Sequence, residues 1–130
     1  MNKDLQIAKR TVQAEIQALK KLSSSFNRSS HFSNAVNLLS KMKGKCLVVG
    51  VGKSYLVSLK VSATLSSLGT PSVAFSANDL QHGGLGAVQK NNDALLIFSV
   101  SGESSELNSI LRYANRHNQI SYCECNSKNC

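Results

Sequence analysis

Leu5, Ala8, Val12, Ile16 and Leu19 fall three and four residues apart, a spacing that predicts an amphipathic first helix. The serine-rich stretch 23–30 breaks the pattern and reads as a polar loop. Phe32, Val36, Leu39 and Met42 form a second helical stripe, closed by the stop signal Lys43-Gly44. From Lys45 onward the period changes. Cys46 to Val49 is a continuous apolar run ending at Gly50-Val51-Gly52, which predicts a buried strand. A mostly apolar helical stretch follows from Ser54 to Leu68 and stops at Gly69-Thr70-Pro71. Ser72–Phe75 and Ala94–Phe98 read as two further strands, and Ile120–Cys125 as a fourth. A helix over 103–117 carries Leu107, Ile110, Leu111 and Ala114 on one face.

Strands that alternate with helices and are apolar throughout predict an α/β fold, with parallel strands, crossover helices and a sheet covered on both faces. No repeat and no linker interrupts the chain, so residues 1–130 read as a single domain. Two N-terminal helices (1–44) precede an α/β core (45–126).

Composition narrows the partners. Fifteen Lys and Arg against seven Asp and Glu give a net charge of +8, which favours anionic ligands: nucleic acid, acidic lipid or phosphorylated metabolites. The aromatic residues are not interleaved with basic ones, so a nucleic-acid surface is not expected. No run of 18 apolar residues exists and the first ten residues carry four charges where a signal peptide would need an apolar stretch, so neither a membrane span nor a signal peptide is expected. Cys46, Cys123, Cys125 and Cys130 are too unevenly spread for a secreted disulfide framework, which points to the cytoplasm. Cys123 and Cys125 share one face of a strand, which suits core packing as well as ligation. No Cys-x-x-Cys pair accompanies them, and no metal site is expected.

In parallel α/β sheets, ligands bind beyond the carboxyl ends of the strands, so the chemistry should follow each strand. After the first comes Gly50-Val51-Gly52-Lys53-Ser54. A Walker A loop would need glycine at Leu47 and a dinucleotide fingerprint would need it at Tyr55, so both nucleotide motifs fail. A glycine-rich turn with a lysine and a hydroxyl remains: an anion site, or an ordinary strand-to-helix turn. After the third strand, Ser99, Ser101, Ser104 and Ser105 surround Gly102 at a helix start, where hydroxyls and backbone N–H groups can wrap a phosphate. Helix capping accounts for one of these serines but not for four. Glu103 and Glu106 in the first turn also complement the helix dipole. Gln81-His82-Gly83-Gly84-Leu85-Gly86 places a histidine among glycines that let backbone approach a ligand. His31, His117, Lys20, Lys21 and the basic residues near Met42 read as solvated surface.

Taken together, GVGKS, ATLSSLGTPSVAF, QHGGLG and SVSGESSEL resemble, in order and spacing, the sugar isomerase (SIS) domain of bacterial arabinose-5-phosphate isomerases, over roughly residues 45–126. The resemblance implies a three-layer α/β/α sandwich with a parallel sheet, forming a homo-oligomer and binding a phosphorylated sugar without a cofactor. It implies interconversion of D-arabinose 5-phosphate and D-ribulose 5-phosphate in lipopolysaccharide or capsule biosynthesis. By position, Lys53, His82 and Glu106 match the family's catalytic lysine, histidine and second glutamate. Gly52, Ser54, Ser99, Ser101, Gly102, Glu103, Ser104 and Ser105 match its substrate- and phosphate-binding segments. Three positions depart from the family pattern: Val100 for Asn, Gly84 for Asp and Tyr55 for Gly. The resemblance also implies that the family's last strand and helix, and its CBS modules, are missing here. The alternative function is a non-enzymatic sugar-phosphate-binding or regulatory module, or an inactive truncated remnant.

Overall fold

The computed structural model of the chain describes residues 2–26, 30–102 and 104–117, together with the backbone course of residues 120–124. The chain divides into two compact units, residues 1–36 and 37–130. The first unit is dominated by helix α1 (Lys3–Ser25), none of whose residues is buried. Asn2 caps it, its side chain accepting a hydrogen bond from the backbone N–H of Asp4 at 3.1 Å. Helix α2 (His31–Lys41) follows.

The second unit holds strands β1 (Cys46–Gly50), β2 (Ser72–Ser76), β3 (Ala94–Phe98) and β4 (Ile120–Glu124). They form one sheet in the order β2-β1-β3-β4, parallel throughout. Helix α3 (Lys53–Ser67) joins β1 to β2, and α5 (Ser105–Arg116) joins β3 to β4. Between β2 and β3 lie α4 (Ala77–Gln81) and a 3-10 turn at Gly84–Ala87, neither of which the periodicity indicates.

All five residues of β1 are buried, and alternation along the strand sends them to two different cores. Leu47 and Val49 join Leu95, Ile97, Leu80, Leu107, Ile110 and Ala114 on the face covered by α4 and α5. Cys46, Val48 and Leu96 pack on the opposite face with Leu39, Met42, Val61 and Leu65. The unbroken apolar run of β1 is thus the signature of a middle layer, and the three-layer α/β/α sandwich follows. On the α3 side, the buried Ser58 and Ser62 keep the helix surface small. Ser58 satisfies its hydroxyl by donating to the carbonyl of Ser54 at 3.0 Å.

An ion pair closes the amino-terminal edge of the sheet. Asp93, only 3% exposed, accepts from the backbone N–H of Lys45 and of Gln89 and from the Lys45 ammonium, each at 2.8 Å. Lys45, among the basic residues read from sequence as solvated, is therefore a structural partner.

Candidate active site

Because β1 and β3 run parallel in register, with Gly50 opposite Phe98, and β2 aligns Ser76 with Gly50, the segments following all three strands emerge at one edge. The first is the turn from β1 into α3. A Cβ on Gly50 would stand 2.5 Å from the backbone of Ser54, so only glycine lets the chain fold back this tightly. Gly52 caps α3 at φ 54°, and the helix opens with the N–H groups of Ser54 and Tyr55 donating to the carbonyls of Val51 and Gly52. Lys53 is the first helical residue and its side chain is exposed at this edge; Ser54 is half-buried.

The second segment leaves β2 through Ser76, which caps α4 by accepting from the N–H of Asp79 and donating to its carboxylate. The five-residue helix ends on His82, which is exposed and followed by the glycine-rich turn. A Cβ at Gly84 would lie 3.1 Å from both the Asp79 carbonyl oxygen and a Leu80 methyl. The aspartate that the family pattern carries there would require a local shift in this chain.

The third segment is the loop from β3 to α5. Ser99 is buried, and its hydroxyl oxygen accepts from the N–H of Gly102 at 3.0 Å, closing the loop upon itself. Ser99 therefore braces the loop, while Ser101 and Ser105 are exposed on it. Ser104 stands at the helix cap, but its side chain makes no capping hydrogen bond, so capping does not account for this serine. Ser105 donates to a Glu106 carboxylate oxygen at 3.2 Å. Glu106 is half-buried in the first turn of α5, where the positive end of the helix dipole favours its charge. Glu103 lies outside the described residues, as do Cys125 and Cys130. Val100, 72% exposed, stands apolar in the middle of this polar loop.

The second and third segments are tied together: the Gln81 side-chain amide donates to the Glu106 backbone carbonyl. The structure thus brings the His82 turn against the helix start that carries Glu106, and it sets Lys53 on the same sheet edge. Periodicity could not reveal Gln81 as the link, although the residue adjoins the histidine motif.

The SIS domain model matches residues 38–129. The chain belongs to the SIS-domain family. Arabinose 5-phosphate isomerase KdsD of Yersinia pestis is 32% identical over 118 residues, covering 91% of the chain and 35% of that relative. Arabinose 5-phosphate isomerase KpsF of Escherichia coli O6:H1 (strain CFT073) is 36% identical over 99 residues, covering 76% of the chain and 30% of the relative. The solved structure of an E. coli CFT073 protein in complex with arabinose 5-phosphate superposes with a TM-score of 0.87 at 30% identity, covering 99% of this chain and 68% of that one. This SIS chain thus spans about a third of the length of the curated relatives it matches. Its homologues include phosphosugar isomerases, and among its described residues no helix is long and apolar enough to cross a membrane.

Proposed function

We propose that this SIS domain binds a phosphorylated sugar at the carboxyl edge of its sheet and interconverts D-arabinose 5-phosphate and D-ribulose 5-phosphate. The observation that carries the reading is the convergence of Lys53, His82 and Glu106 on one sheet edge beside a hydroxyl-rich loop at a helix start. The phosphate would sit over Ser101, Ser104 and Ser105, with Gly52, Ser54, Gly102 and Glu103 completing its surroundings and Ser99 holding the loop in shape. Neutral donors suit this task, because they orient a dianion that must also leave.

Aldose–ketose isomerisation moves a proton between adjacent carbons through an enediolate. In this reading Glu106 is the base that removes the proton from one carbon and returns it to the next. His82 opens the sugar ring by shuttling a proton between the ring oxygen and the anomeric hydroxyl. Lys53 faces the developing negative charge on the enediolate oxygen. No cofactor is required, since the reaction is internally redox-neutral. The reading extends to a homo-oligomer, to a cytoplasmic location where phosphorylated sugars are retained, and to a step in lipopolysaccharide or capsule biosynthesis.

A second reading, a binding module without turnover, is favoured by Val100 and Gly84, which replace polar family residues beside the site. The deciding experiment incubates the full chain with D-ribulose 5-phosphate and follows arabinose 5-phosphate by NMR. Turnover that falls at least a hundredfold in Glu106→Gln, with sugar phosphate still bound, supports the isomerase. Thermal stabilisation by the sugar phosphate without turnover selects the binding module.

A further inference from the structure

A cleft of about 600 Å³ runs along α5 from Ser105 to His117, on the side that meets Leu85 of the Gly84–Ala87 turn. Its walls include Asn108, Ser109, Arg112 and Arg116, over a floor formed by Leu85 and Tyr113. The floor is pinned: the Tyr113 hydroxyl donates to the Leu85 carbonyl at 3.4 Å, and the Tyr113 ring meets the His117 ring edge-on at 4.5 Å. The walls are different. Arg112 and Arg116 stand one helical turn apart, so two like charges border the same space and repel each other. Both are exposed, and among the described residues neither guanidinium has a carboxylate partner; the ion pair among those residues joins Lys45 to Asp93. The described lining contains no acidic side chain at all. A fixed, partly apolar floor beneath two guanidiniums that have no carboxylate partner among the described residues, with a hydroxyl and an amide beside them, describes a receptor for a compact polyanion.

We propose that the arginine-bearing end of this cleft is a second anion site, distinct from the strand-end site, and that it takes a small molecule carrying two neighbouring phosphoryl groups. Each guanidinium presents a planar fork that can hold one phosphoryl group through two parallel hydrogen bonds, and the one-turn offset matches two groups better than one. The strand-end loop, built of hydroxyls and backbone N–H groups, suits a single phosphate. The α5 cleft does not depend on the isomerase reading, and a chain without turnover would still carry it.

The probe is inorganic pyrophosphate, titrated calorimetrically into the full chain at about 0.15 M salt, where diffuse surface attraction is largely screened. Saturable binding at one arginine-dependent site per chain is expected, at least tenfold tighter than inorganic phosphate binds at that site. The double variant Arg112→Gln/Arg116→Gln should weaken it at least tenfold, whereas Lys53→Gln, which alters the strand-end site, should leave it within twofold. Both arginines are exposed, so the substitutions should not unfold the chain. A second double variant, Arg112→Lys/Arg116→Lys, keeps the charge but loses the forks and should also bind more weakly. Each of the following overturns the proposal: no saturable heat with pyrophosphate, equal affinity for phosphate, unchanged binding in the Gln or the Lys double variant, or loss of binding in Lys53→Gln.

Discussion

Asp93 is the residue whose chemistry the fold commits most fully. Burial pushes its carboxyl upward, but the Lys45 ammonium and the N–H groups of Gln89 and Lys45 outweigh that effect and hold it below the ordinary value of 3.8. A carboxyl depressed on folding contributes stability above its unfolded value and loses that contribution as pH falls through the folded one. The contribution should therefore be intact at neutral pH and fade below about pH 4. Asp93→Asn leaves Lys45 unneutralised and turns an amide toward backbone donors, at a cost of about 2–3 kcal/mol near pH 7. Urea denaturation across pH should show that gap narrowing in acid; a gap independent of pH would contradict this account. None of this was legible in the chain, because Lys45 and Asp93 are 48 positions apart and no local spacing links them. The strand-end residues were legible for the opposite reason. Parallel α/β topology sends every strand's carboxyl end to one edge, so knowing that Lys53, His82 and Glu106 follow strands was enough to place them at that edge.

Among the elements, strands and long helices announced themselves, and their ends did so unevenly. Helix α1 runs through Ser25, into a stretch that reads as loop, because Ser24 and Ser25 turn their hydroxyls back to the carbonyls of Lys21 and Leu22 and remain helical. Helix α4 is five residues long, too short to display a period, and its cap at Ser76 was its one local signal. Helix α3 stops where Gly69 and Pro71 say it should, and the geometry supplies the reason. Gly69 adopts φ 90°, its N–H donates to the Ser66 carbonyl, and the Thr70 N–H reaches the Leu65 carbonyl, the paired bonds of a Schellman cap. Ser66 then receives the N–H of Ser72 on its hydroxyl, coupling the cap to the first residue of β2. Gly69→Ala has open space for its methyl group, so its cost should come from backbone strain alone, about 1–2 kcal/mol. A thermal melt showing no loss, or a loss of several times that size, would show that the cap is not what holds this turn.

At the scale of the whole molecule, the apolar residues that the sequence pattern set on one face of α1 bury nothing within their own unit: Leu5 is 62%, Val12 53% and Leu19 64% exposed. A stripe of this kind is expected to find cover in a second copy, consistent with the proposed homo-oligomer. Light scattering at tens of micromolar should therefore report a species larger than a monomer, and Val12→Glu with Leu19→Glu should reduce it to the monomer. A strictly monomeric chain would sink that expectation. The sheet raises a different matter, one of order in time. Its central strand β1 is the earliest in the chain, yet both of its neighbours come later, and Cys46 must wait for Ala94, about 50 residues on, before its second side is paired. At ribosomal rates of 5–20 residues per second, that wait is about 2–10 s. Throughout it, a five-residue apolar strand has nothing to pair with on one side. The placement that makes β1 the best-protected strand once folded makes it the most vulnerable during synthesis. The nascent chain's demand on holding chaperones should therefore be concentrated between the emergence of β1 and that of β3.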